Sequence, residues 1–95
     1  MQYVYLLRCG DGSIYTGYTT DVSRRVSEHR EGRGAKYTRG RTPLTLRRVE
    51  AYDTRSNAQS REAAVKALSR GEKEGLLPEA DDRIAIGGIW SEKDR

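Results

Sequence analysis

The 95-residue chain has no phenylalanine, one tryptophan, one histidine, one methionine, one cysteine and two prolines. Without Phe, the six tyrosines must supply most of the aromatic volume, and each brings a hydroxyl that needs a partner wherever it packs. Cys9, the lone cysteine, excludes an internal disulfide and a thiolate metal cluster, and it fits a reducing compartment. No apolar run approaches the roughly 20 residues of a membrane span, and only 35% of the chain is hydrophobic, with a mean hydropathy of −0.88. A strand-like pattern from residue 3 leaves no room for a signal peptide, so a soluble, cytoplasmic protein is expected. The length suits one domain with a thin core, burying no more than about two-thirds of its unfolded surface.

Charge is present in both signs but unevenly placed. Eighteen Lys and Arg against fourteen Asp and Glu leave a net +4. Residues 24–48 hold nine basic side chains (Arg24, Arg25, Arg30, Arg33, Lys36, Arg39, Arg41, Arg47, Arg48) against Glu28 and Glu31, a local +7, whereas residues 72–95 carry −3. Such a field suits a polyanion, because each cation placed on a phosphate releases condensed counterions. Within the stretch, Tyr37 beside Lys36 adds an aromatic on which a base can stack. The plainer alternative is a solvated basic loop.

Residues 2–9 and 13–19 read as two strands joined at Gly10-Asp11-Gly12, an antiparallel hairpin. A two-residue turn would put Tyr5 and Tyr15 on opposite faces. A three-residue turn with Gly12 left-handed pairs Tyr5 with Gly17 and Leu7 with Tyr15, puts both tyrosines on one face and leaves space for substrate opposite Tyr5. Thr20-Asp21 caps an expected helix over residues 22–31, with Val22 and Val26 on one face and Arg25 and His29 on an adjacent one. Residues 33–43 form a basic loop closed by Pro43, and residues 44–53 read as a third strand of irregular alternation. A second helix is expected from Ser56, boxed with Gln59, to about Arg70, with Ala58, Ala64, Val65 and Leu68 buried and Glu62 at the stripe's edge. A short helical piece over residues 72–77 should stop at Pro78. The domain is placed at 1–79, followed by an acidic tail over 80–95 containing Gly87-Gly88-Ile89-Trp90.

Tyr3-Val4-Tyr5, Tyr15-Thr16-Gly17, Arg25, His29 and Glu62 form one candidate reaction centre. Phosphodiester hydrolysis needs a deprotonated water, a neutralised phosphoryl group and help for the leaving alkoxide. Tyrosine, with a pKa of about 10, is a poor base unless a cation lowers it, and a single carboxylate suits magnesium, which keeps most of its waters. Taken singly, Tyr5 reads as core rather than catalytic, while the alternative to a site role is a helix-terminal cap for His29 and an ion pair with Lys66 for Glu62.

Jointly, the spacing resembles the GIY-YIG nuclease superfamily. Ten residues separate Tyr5 from Tyr15 and Tyr15 from Arg25, four separate Arg25 from His29, and Glu62 follows on a later helix. The resemblance covers about residues 2–77 and is to the small stand-alone branch related to the amino-terminal domain of the excinuclease C subunit and to structure-selective endonucleases. It implies an α/β (α+β) fold, a small three-stranded antiparallel sheet flanked by helices, and metal-dependent hydrolysis with Mg2+ or Mn2+. It implies that Tyr5 deprotonates or orients the attacking water and that Tyr15 contacts the phosphate or its hydration. In the same pattern Gly17 is the second-motif glycine, Arg25 holds the scissile phosphate, His29 supports Tyr5 and Glu62 ligates the metal. Tyr3 replaces the leading glycine of the first motif, Tyr18 stands where excinuclease relatives have lysine, and no Asn follows Glu62.

The expected activity is that of a DNA endonuclease acting on branched or damaged structures in repair or recombination, weak without a targeting partner. Gly17, Arg24, Arg33, Lys36, Tyr37, Arg39, Arg41 and Lys66 are the expected nucleic-acid contacts. The alternative is a non-catalytic nucleic-acid-binding module, with RNA as a possible ligand.

Overall fold

A computed structural model describes residues 1–77. The tail from residue 78, with Pro78 and the Gly87 to Trp90 segment, lies outside the described residues, as does the expected boundary at residue 79. The elements are β1 (Gln2–Arg8), β2 (Ile14–Thr19), α1 (Val22–Arg30), β3 (Thr45–Tyr52), α2 (Arg55–Lys66) and α3 (Arg70–Glu74), with one 3-10 turn at Lys36–Thr38. The strands form an antiparallel sheet in the order β2-β1-β3. This is the α/β arrangement expected, three strands flanked by helices.

The three-residue turn sets the hairpin. Gly12 has φ +88°, Cys9 N–H donates to Ser13 O at 2.9 Å, and Tyr5 pairs with Gly17 and Leu7 with Tyr15. Glycine opposite Tyr5 does leave space, but not for substrate: a Cβ at Gly17 would collide with the Tyr5 hydroxyl, which already fills that volume. The irregular alternation of β3 also has a cause. Leu6 pairs with Arg48 and Leu7 with Leu46, so Arg47 is an extra residue in a bulge. The bulge brings Leu46 and Val49, three apart, onto the same face.

Central β1 is buried on both sides, with Val4, Tyr5, Leu6 and Leu7 fully covered. On the odd-numbered face Tyr5 and Leu7 pack with Val22, Val26, Leu46 and Val49; on the other, Val4, Leu6 and Ile14 pack with Ala58, Val65 and Leu77. The sheet thus separates α1 from α2, each with its own small core. The half-buried tyrosine hydroxyls find partners: Tyr18 donates to Gln2 Oε1, and Tyr52 to Glu50 Oε1 at 2.7 Å.

Three helix details differ from the sequence reading. Thr54, not Ser56, caps α2, its hydroxyl accepting from Asn57 N–H at 3.1 Å, because Thr54 is the residue with extended backbone. The helix ends at Lys66, and Ser69 starts α3 with a reciprocal capping box to Glu72, so one long pattern is split in two. On α2, Ala64 faces solvent; Ala58 and Val65, seven apart, carry the buried line. Arg8 ties α3 to the sheet through two bonds to the Glu74 carboxylate at 2.7 and 2.5 Å.

Candidate functional site

Helix α1 positions the histidine. Asp21 caps the helix by accepting from Arg24 N–H at 3.1 Å, and Val22, Val26 and His29 then fall on one buried stripe. His29 is therefore on the valine face rather than beside it, completely covered, while Arg25 lies at the border with its side chain 31% exposed.

The Tyr5 hydroxyl and His29 Nε2 are 2.7 Å apart, and His29 Nδ1 is 2.9 Å from Thr38 Oγ1. Thr38 Oγ1 is also 2.9 Å from the Ala35 carbonyl, which can only accept. The single Thr38 proton goes to that carbonyl, so Thr38 accepts from Nδ1–H, and Nε2 accepts from Tyr5 O–H. Ala35 N–H approaches Nδ1 at 3.4 Å, too long to compete with the Thr38 contact. The loop comes this close because of Gly34, where a Cβ would strike the imidazole. Thr38 is 1% exposed and was missed in the sequence, lying in what reads as a plain basic loop. The available signal was indirect: a sole, buried histidine needs a partner for each ring nitrogen.

Tyr15 completes the cluster, its ring 6.1 Å from Tyr5 and 5.1 Å from His29. Arg25 donates to Glu28 Oε1 at 3.0 Å. Burial, reinforced by Tyr15, pushes the Tyr5 phenol well above its ordinary value, although Arg25 opposes the shift. Burial also pushes His29 down to about 4, with the Arg25 charge adding to the effect. At neutral pH the pair is a phenol and a neutral imidazole.

This has a measurable consequence for stability. The unfolded chain protonates His29 as pH falls below about 6.5, whereas the folded chain resists until about 4. The unfolded state binds the extra proton, so stability present at pH 7 is lost as pH falls through that window. Denaturant unfolding should show roughly 1–2 kcal/mol lost at His29 between pH 7 and pH 5. The difference between the two pH values should shrink by that amount in His29→Gln; an unchanged difference would show that another group carries the dependence.

Glu62 lies on α2, across the sheet from α1, and pairs with Lys66 at 2.9 Å; its side chain is 20% exposed. Edge strand β2 connects the two faces, for Tyr15 and Lys66 line one cleft with Ile14, Thr16, Tyr37 and Lys73. The structure thus gathers Tyr5, Tyr15, Arg25 and His29 tightly and leaves Glu62 on the far side of the β2 edge. Among the described residues no three His, Cys, Asp or Glu side chains cluster as metal ligands. The carboxylate of Glu62 suits a hard cation that takes one protein oxygen and fills its shell with water and substrate, provided Lys66 yields it.

Of the expected nucleic-acid contacts, Arg24, Lys36, Arg39 and Lys66 are exposed, and Gly17 lies beneath the Tyr5 hydroxyl. Arg33 pairs with Glu31, and Arg41 pairs with Asp11 while its guanidinium sits 4.4 Å above the Tyr37 ring. These two of the nine basic side chains are therefore answered locally, by exposed pairs worth little and easily exchanged for phosphate. Tyr37 is 43% exposed and its ring centre is 5.7 Å from that of Tyr15, so it extends the cluster toward solvent.

Comparison with known proteins places this geometry. A UPF0213 protein of Halobacterium salinarum is 60% identical over 77 residues, covering 81% of this chain and all of that protein. One of Haloquadratum walsbyi is 58% identical over 80 residues, 84% of this chain and 90% of that protein. The solution NMR structure of the UPF0213 protein BH0048 from Bacillus halodurans has 55% identity and a TM-score of 0.53, covering 80% of this chain and 82% of that one. That of protein EF2693 from E. faecalis has 48% identity and a TM-score of 0.56, covering 79% and 80%. The GIY-YIG catalytic domain matches residues 1–74, from ahead of β1 to the end of α3, with both tyrosines, Arg25, His29 and Glu62 inside the match. The chain belongs to the GIY-YIG catalytic domain family, a nuclease-type family.

Proposed function

We propose that the protein is a divalent-metal-dependent endonuclease that hydrolyses phosphodiester bonds in DNA, with branched or damaged structures as its substrates. The observation that carries this reading is the buried line from the Tyr5 hydroxyl through His29 to Thr38, with Tyr15 and Arg25 beside it.

Arg25 exchanges Glu28 for the scissile phosphate and neutralises its charge. Tyr15 donates its hydroxyl to a phosphoryl oxygen. Tyr5 is wholly buried, so its oxygen meets water only once Tyr15 and Arg25 have turned toward the phosphate. The attacking water then gives its proton to the Tyr5 oxygen as the Tyr5 proton passes to His29 Nε2. The imidazolium formed keeps its Nδ1–H on Thr38 and faces the anionic phosphate, which offsets the burial that disfavours its charge. This route avoids a free phenolate, which the raised Tyr5 pKa makes costly. Glu62 would hold the metal, Mg2+ or Mn2+, which when bound supplies Lewis-acid stabilisation of developing charge.

The Lys66–Glu62 pair favours the second reading, a nucleic-acid-binding module that keeps the fold, since it engages the carboxylate that a metal needs. A panel of single-stranded, duplex, flap and junction DNAs plus RNA, each with magnesium, manganese or chelator, separates the two. Divalent-ion-dependent DNA products support the endonuclease; binding with no products on any substrate supports the module. Replacing Arg33, Lys36 and Arg39 by Ala should reduce the slope of log affinity against log salt by about 0.9 per lost phosphate contact on duplex DNA. An unaltered slope would make the loop a solvated surface only.

A further inference from the structure

Lys73 is half-buried, lines two adjoining clefts and has no ion-pair partner among the described residues. Its basic neighbours differ: Lys66 is paired with Glu62, and Arg70 donates to Gly12 O at 2.7 Å. An ammonium that has lost part of its water and gained no anion is an unfavourable arrangement that a bound anion relieves. A second observation points to the same place. Thr16 lines the cleft with Lys73, and its Oγ1 is buried with no hydrogen-bond partner. Tyr15 lines it as well, which joins the cleft to the hydrolytic cluster, and Tyr37 forms the wall shared by both clefts.

Size and surroundings select the occupant. The cleft beside Tyr15 encloses about 270 Å³, or about nine water volumes at roughly 30 Å³ each. That accommodates one nucleotide's phosphate and sugar. An exposed tyrosine at its wall suits an unpaired base. We propose that the cleft between β2 and α3 is a subsite for a phosphate of an unpaired strand next to the bond that is cut. Lys73 neutralises that phosphate, Thr16 donates to it, and Tyr37 packs against the adjoining base. The proposal rests on the nuclease reading and narrows its substrate to DNA with a single-stranded arm.

The test is equilibrium binding, in chelator, of a duplex with a single-stranded arm and of a blunt duplex, each across a salt series. Lys73→Ala should reduce the salt slope on the armed DNA by about 0.7, leave the blunt duplex unchanged, and be rescued by Lys73→Arg. Thr16→Val should weaken binding to armed DNA several-fold without lowering the melting temperature. An unchanged slope on armed DNA in Lys73→Ala overturns the subsite. An equal loss on both DNAs overturns its assignment to an unpaired strand. If the Arg33, Lys36 and Arg39 triple variant weakens binding while Lys73→Ala does not, the subsite falls and the nuclease reading stands; a wild-type chain that binds neither DNA removes both.

Discussion

Tyr5→Phe is expected to lower single-turnover cleavage by about 10² or more, the scale of losing a general base. The substitution deletes one oxygen and keeps the ring among Leu7, Val22, Val26, Leu46 and Val49, so the fold should persist. Stability should still fall, because His29 Nε2 loses its donor in a fully buried site; an unpaired buried acceptor costs roughly 1–3 kcal/mol. Tyr15→Phe should lower turnover as well. The double variant should lose less than the product of the two single losses, since groups acting on one phosphate and one water are not additive. Thermal denaturation alongside kinetics separates the two effects. Full turnover in a destabilised Tyr5→Phe protein would make the tyrosine a core residue and nothing more.

Glu62→Ala is expected to abolish metal-dependent cleavage and leave DNA binding largely intact. The change removes the carboxylate paired with Lys66 of the β2 cleft but none of the loop cations, and it frees Lys66 from its ion pair. Cleavage products and affinity, measured on the same preparation, check both halves. Undiminished cleavage would move the metal away from Glu62, and Glu28, paired with Arg25 at the edge of the cluster, would then be the carboxylate to examine.

Elements with a local chemical signature were legible in the sequence. The hairpin and the start of α1 at Asp21 were legible, while both hairpin registers stayed open until the left-handed Gly12 selected the one that puts Tyr5 and Tyr15 on a shared face. What depended on competing local signals was misplaced. Thr54 and Ser56 both offer a capping hydroxyl, and only the direction of the chain leaving β3 selects the first. The irregular alternation of β3 was visible, but its cause, a bulge at Arg47, requires the partner strand. For the site, motif spacing identified His29 yet not its depth: its position seven after Val22 puts it on the valine stripe of the expected helix, but a polar ring reads as belonging with Arg25 on the adjacent face until its buried partners are seen. Thr38 and Lys73 lay beyond reach for a different reason. Thr38 meets His29 through a loop folded back at Gly34, and Lys73 comes to line one cleft with Thr16 across a helix break at Ala67 to Ser69; neither juxtaposition has a sequence period.

The central claim is that neutral His29 receives the proton through Tyr5, and the pH dependence of single-turnover cleavage tests it most directly. Acceptance by a histidine held down to about 4 predicts a rate that climbs tenfold per pH unit below that value and is level from about pH 5 upward, where the imidazole is neutral. A rate that keeps rising to pH 10, as attack by hydroxide or general-base action by a Tyr5 phenolate requires, would contradict it.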